Sequence, residues 1–268
     1  MYTKNQIIKQ LENMNAPQDS VVLMHSSLRS VGDVEGGGEG LLDALIEYFT
    51  AEDGLFCVAT HTWGNLGTDK ITLDMTSPES NLGAFATIAA KDKRGIRSEN
   101  PSHSMAVFGD RAKAEAFVRD DASVTTPTAP ESCYGKLFDM NGRVLLVGVG
   151  QNKNTYLHCV DEILKTPDRM SEEPTRLTVK RLDGEVIERD ITFYDESRYG
   201  DVSLRFTKYE LPFRYLRCIV DGFLGDAPAQ LCDARGMKEA MELIYSRCGD
   251  RDPMSDEKPI PPAWYCKR

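Results

Sequence analysis

Histidine is scarce in this chain, with four among 268 residues, and tryptophan scarcer, with two. Chemistry resting on imidazole therefore has few places to reside. Long apolar runs are also missing: nothing approaches the roughly 18 apolar residues needed to cross a membrane. The amino terminus, MYTKNQIIKQLENMN, interrupts its apolar residues with polar ones, which predicts a first helix and not a secretory leader. The seven cysteines, at 57, 133, 159, 218, 232, 248 and 266, are odd in number and form no CxxC pair. That pattern predicts free thiols in a reduced, cytoplasmic protein, with no zinc spacing and no metal expected. Excess positive charge is lacking as well, because 42 acidic residues outweigh 32 basic ones for a formal charge of −10. Such a balance disfavours nucleic acid and anionic membranes as partners and suits a cationic ligand.

What is present reads as α/β. SVVLMHSS and GLFCVATHT are apolar runs of the kind buried on both faces of a sheet. Between them lies LLDALIEYF, with Leu41, Leu42, Leu45, Ile46 and Phe49 at helical spacing, so the order predicts a crossover with parallel strands. HSMAVFG and GRVLLVGVG supply further strands, and residues 64–83 form a long surface connection rich in Gly, Thr, Ser and Pro. TRLTVKRLDGEVIERDITFY predicts an antiparallel hairpin turning at Asp183-Gly184 and added to the main sheet. One domain over residues 1–268 is expected, with an irregular tail at 250–268.

Three stretches could carry chemistry. In HSSLRSVGDVEGGGEG, small residues and glycines between a strand and a helix let backbone N–H groups approach an anion; the same glycines equally serve to enter a helix. The stretch has neither a GKS or GKT ending nor GxGxxG spacing. In RGIRSENPSHS, guanidinium and hydroxyl groups either hold an oxygen ligand or cap local backbone. NTYLHCVDE places His158 at a helix start, with Asp161 and Glu162 three and four positions on. A carboxylate there would orient the imidazole as a general base, or the two acids merely complement the helix dipole. Cys159 beside His158 points away from it on a helix, and HSS lacks the G-x-S-x-G elbow, which argues against thiol and serine hydrolases.

Taken in chain order, LMHSSLRSVGDVEGGGEGLLDAL, TSPESNLGAF, RSENPSHSMAVFG, ESCYGKL and GRVLLVGVGQNKNTYLHCVDE resemble the aminoglycoside 3-N-acetyltransferase family, the antibiotic acetyltransferases. The resemblance implies a three-layer α/β/α sandwich around a mixed, largely parallel central sheet. It also implies transfer of an acetyl group from acetyl-CoA to the 3-amine of a cationic aminosugar in a ternary complex, by a monomer or homodimer. His158 lands on the family's general base and Asp161 on its following carboxylate, where relatives more often carry Glu; Glu162 shares or takes that role. Ser26, Ser27, Arg29, Val31, Gly36, Gly37 and Gly38 land on the segment that lines pantetheine and phosphates, and Thr155 and Ser98 are candidates to hold the oxyanion or thioester. Two departures stand out: Asn100 replaces the usual His before proline, and Cys133-Tyr134 replaces the usual Pro-Leu after Ser132. Competing expectations are acetylation of another amine, and a nucleotide-binding module without chemistry.

Overall fold

A computed structural model describes residues 1–266. Its main sheet has seven strands in the order β4-β5-β2-β1-β6-β10-β9. In chain order these are β1 (Val21–Ser26), β2 (Leu55–Ala59), β4 (Ile96–Arg97), β5 (Met105–Phe108), β6 (Arg143–Val147), β9 (Ile219–Leu224) and β10 (Ala227–Asp233). A second sheet, in the order β3-β7-β8, joins β3 (Leu73–Asp74) to the hairpin β7 (Thr175–Lys180) and β8 (Val186–Ile191).

Alternation along the central strands creates two cores. Val21, Leu23, Leu55, Cys57, Val144 and Leu146 face one side, while Val22, Met24, Phe56, Val58, Leu145 and Val147 face the other. The first face is covered by α5 (Arg111–Val118), α6 (Cys133–Asp139), α7 (Tyr156–Ile163), α8 (Glu210–Tyr215) and α9 (Ala234–Tyr245). Against the second pack α1 (Lys4–Asn13), α3 (Gly37–Phe49) and α4 (Ala84–Lys91). Two short helices complete the set, α2 (Leu28–Val31) and α10 (Pro262–Tyr265). The three-layer expectation is met.

The sheet is mixed as expected, but parallel pairing is confined to its centre. β1 pairs in parallel with β2 and β6, and every other neighbour is antiparallel. The hairpin turning at Asp183-Gly184 forms, yet it does not extend the main sheet: β7 pairs with β3 from the long connection. The antiparallel addition to the main sheet is instead β9–β10, whose turn uses Gly225 at φ +59°. Residues 250–261 carry no helix or strand, and 267 and 268 of the expected tail lie outside the described residues. No helix among the described residues is long and apolar enough to cross a membrane.

Candidate active site

A cavity of about 790 Å³ opens beyond the carboxyl ends of β1 and β2. This is the end of an open α/β sheet where ligands bind, because strand ends and the loops leaving them form a crevice there. Its wall holds all four histidines of the chain: His25 from β1, His61 just after β2, His103 just before β5, and His158 from α7. The rings form an arc. His25 and His61 are 6.5 Å apart between centroids, His61 and His103 4.3 Å, His103 and Tyr194 6.1 Å, and Tyr194 stacks on His158 at 4.0 Å and 15°. Phe206 meets His158 edge-on at 4.8 Å.

Burial keeps these imidazoles neutral. It lowers His25 and His158 to about 4 and His103 to about 3, and it holds His61 well below the ordinary value, reinforced by the neighbouring histidines. In the unfolded chain the same groups bind protons below about pH 6.5. Between that value and their folded values the unfolded state holds more protons, so stability falls as pH falls, by about 1.4 kcal/mol per pH unit for each fully affected histidine. Burial also pushes the Asp121, Asp161 and Glu162 carboxyls up, which opposes the loss at lower pH. The expected result is a thermal midpoint that drops most steeply from pH 6.5 to 5; an unchanged midpoint over that range would contradict the neutral arc.

α7 begins where Thr155 C=O accepts the His158 N–H at 3.1 Å, and Thr155 itself lines the cavity. Neither acid following His158 touches its ring, contrary to expectation. Asp161 turns into the core, where its Oδ2 accepts from Arg169 Nε at 3.2 Å and its Oδ1 from Tyr245 OH at 2.9 Å and Thr166 Oγ1 at 3.0 Å. Glu162 accepts the hydroxyls of Thr126 and Thr128, the latter at 2.6 Å. With its one proton committed to Glu162, Thr128 accepts from Tyr194 OH at 2.7 Å. Glu162 thus fixes the ring that stacks on His158, and the carboxylate acting on His158 through space is Asp201, also in the cavity wall.

The expected binding residues divide. Ser26 lines the cavity, and Ser27 lies next to it, its Oγ accepting from Ser30 Oγ at 2.9 Å. Val31 is buried in the core, and Ser98 is fully buried with its Oγ accepting the Met105 N–H at 3.0 Å, so neither side chain reaches the cavity. Arg29 and Gly36–Gly38 lie outside its wall. The glycines have a packing reason: Gly36 and Gly37 enter α3 at φ +76° and +64°, and a Cβ on Gly38 would come within 2.5 Å of Ile88.

Asn100, which the resemblance marked as a departure, is a loop clamp. Its Nδ2 donates to Pro127 C=O at 2.8 Å, and its Oδ1 accepts the His103 N–H at 2.9 Å. Sequence reasoning passed over His25, His61, Tyr194, Asp195, Glu196 and Asp201, all in the cavity wall. For the two histidines a signal existed, since each closes an apolar run predicted to be a parallel strand. Two buried polar atoms in the wall residues, His25 Nε2 and Asn154 Oδ1, have no partner among the described residues. The seven cysteines are unpaired, and burial raises Cys159 well above the ordinary thiol range, which leaves it a poor nucleophile.

Residues 23–245 match the family described as aminoglycoside 3-N-acetyltransferase. Among curated proteins, aminoglycoside N(3)-acetyltransferase IV of Salmonella sp is 28% identical over 166 residues, covering 62% of this chain and 61% of that protein. The SPbeta prophage-derived aminoglycoside N(3')-acetyltransferase-like protein YokD of Bacillus subtilis is 26% identical over 179 residues, covering 59% and 64%. The chain thus spans less than two thirds of the length of each of these relatives. Of solved structures, aminoglycoside acetyltransferase AAC(3)-IVa, a histidine-to-alanine mutant in complex with a gentamicin, superposes with a TM-score of 0.76 at 25% identity, covering 99% of this chain and 94% of that one. AAC-IIIb, binary with CoASH, shares the fold with a TM-score of 0.76 at 19% identity, covering 94% and 99%. With the family match running from β1 to the end of α9, the chain belongs to the aminoglycoside 3-N-acetyltransferase family.

Proposed function

We propose that this protein transfers the acetyl group of acetyl-CoA to an amine of an aminoglycoside-class aminosugar, the 3-amine, with His158 as general base. The observation that carries the reading is the placement of a neutral His158 in the wall of a large cleft whose rim also bears Asp195, Glu196 and Asp201. Those carboxylates attract a polycationic acceptor. Among the described residues Lys153 is the only lysine or arginine in the lining, against the three carboxylates.

The chemistry follows from the residues. As the acceptor nitrogen attacks the thioester carbonyl, its proton passes to a ring nitrogen of His158; the N–C bond forms, the C–S bond breaks, and the released thiolate takes up a proton. Burial alone makes His158 a weak base, but Asp201 and the stacked face of Tyr194 both favour the imidazolium as it develops. No covalent acyl-enzyme is needed. The cavity suits a pantetheine arm: Met24, Val58, Ala59 and Ala86 give it apolar wall. Ser26 and Ser27 stand beside this wall, and the exposed Arg29 with Gly36–Gly38 outside it are candidates for the phosphate end.

The direct test is thiol release from acetyl-CoA in the presence of aminoglycosides with and without a 3-amine, alongside other primary amines. Release confined to 3-amino sugars is the expected result. Release with unrelated amines alone would transfer the reading to a different acceptor, and no release with any acceptor would remove it.

A further inference from the structure

The proposed base leaves His61, the second imidazole of the arc, unused. His61 Nε2 lies 2.5 Å from the hydroxyl of Tyr134, and Tyr134 is fully buried at the start of α6. The phenol has no other side-chain hydrogen bond among the described residues. If His61 donated to it, the phenolic proton would be left buried without an acceptor, which costs more than the alternative. Tyr134 therefore donates to Nε2, and a neutral His61 must carry its own proton on Nδ1. Burial supports both assignments, holding the phenol well above and the imidazole well below their ordinary values. Nδ1 has no hydrogen-bond partner among the described residues, yet it is not among the sealed-in polar atoms, and His61 lines the cavity. The result is a fixed neutral N–H donor in the wall that also holds His158.

We propose that His61 is a second catalytic residue: its Nδ1–H, held in that tautomer by Tyr134, donates a hydrogen bond to the thioester carbonyl oxygen and stabilises the oxyanion formed when the amine attacks. No proton is transferred. The bond strengthens as the C–O bond gains negative charge on N–C bond formation, and it relaxes when the C–S bond breaks. A neutral donor suits this task, because a cationic imidazolium would repel the incoming amine. Tyr134 is a positioning residue, acting through His61. The inference rests on the acyl-transfer reading.

Three variants and one spectrum test it. His61→Phe keeps the ring and removes the donor; turnover is expected to fall about 10²-fold, with KM for acetyl-CoA and amine held within about threefold. His61→Asn restores an amide N–H near the Nδ1 position and should recover about tenfold of that loss. Tyr134→Phe frees the tautomer, with about a tenfold loss in kcat. Long-range ¹⁵N–¹H NMR of the imidazoles, which needs no turnover, should show His61 as the Nδ1–H tautomer in the wild type and as a mixture in Tyr134→Phe. An active His61→Phe, an Asn variant no better than Phe, or an Nε2–H tautomer in the wild type would each overturn the inference and leave the transfer reading standing. A wild-type protein that transfers nothing removes both.

Discussion

Replacing His158 with phenylalanine is expected to lower turnover by about 10²–10⁴-fold, the usual worth of a positioned general base. Phenylalanine is chosen because the contacts of the native ring are aromatic: the stack on Tyr194 and the edge contact with Phe206 persist, and only the two nitrogens are lost. The fold should survive. In acid it should even gain, because a buried imidazole held at about 4 no longer resists the protonation that the unfolded chain accepts below about pH 6.5. The variant therefore separates chemistry from stability within a single protein. Steady-state kinetics with thermal unfolding at pH 7 and pH 5 checks it, and near-normal turnover in a folded His158→Phe would sink the base assignment.

Arg169→Met is expected to destabilise the protein by about 3–5 kcal/mol, as removal of one partner from a buried ion pair does. Arg169 and Asp161 are both buried, and the guanidinium also donates to Tyr245 OH at 3.1 Å and Asp252 Oδ1 at 2.9 Å. Without it Asp161 keeps only the hydroxyls of Tyr245 and Thr166, and it must either hold its charge in an apolar setting or take up a proton, each of which costs stability. The double variant Asp161→Asn/Arg169→Met should recover a large part of the loss, because it removes the orphaned charge together with its partner. Urea unfolding of wild type, single and double variants measures this. Strict additivity would show that the two residues do not act as a pair. Turnover per folded molecule should change far less than in His158→Phe, since neither group reaches the cavity.

The contrast between these residues shows what one sequence exposes. His158 was identifiable from its position in a resemblance that runs through most of the chain. Its partners were not, because spacing on a helix gives two possible neighbours and cannot tell which way the helix is rotated. α7 buries Asp161 toward α9 and the tail and turns Glu162 toward Thr126 and Thr128, so the carboxylate acting on His158 comes instead from position 201, at the start of the short helical segment Val202–Tyr209, which no spacing around His158 records. The central strands were legible as unbroken apolar runs, and so was the hairpin at Asp183-Gly184. Its sheet was not: β3 has only two residues, and its pairing with β7 joins positions about a hundred residues apart, which no local pattern records. The β9–β10 hairpin was missed because Pro228 and Gly222 break the alternation that marks a strand.

The histidine arc has a consequence for how the chain folds. Its members come from positions 25, 61, 103 and 158, each on or beside a different element, and none meets another through local contacts. Closing such distant contacts is entropically expensive and slow compared with helix formation. The arc exists only after β1, β2 and β5 have paired and α7 has docked, so the surface proposed for catalysis is among the last parts of the native topology to be completed. A refolding chain can regain most of its helical signal while its imidazoles still titrate as they do in water.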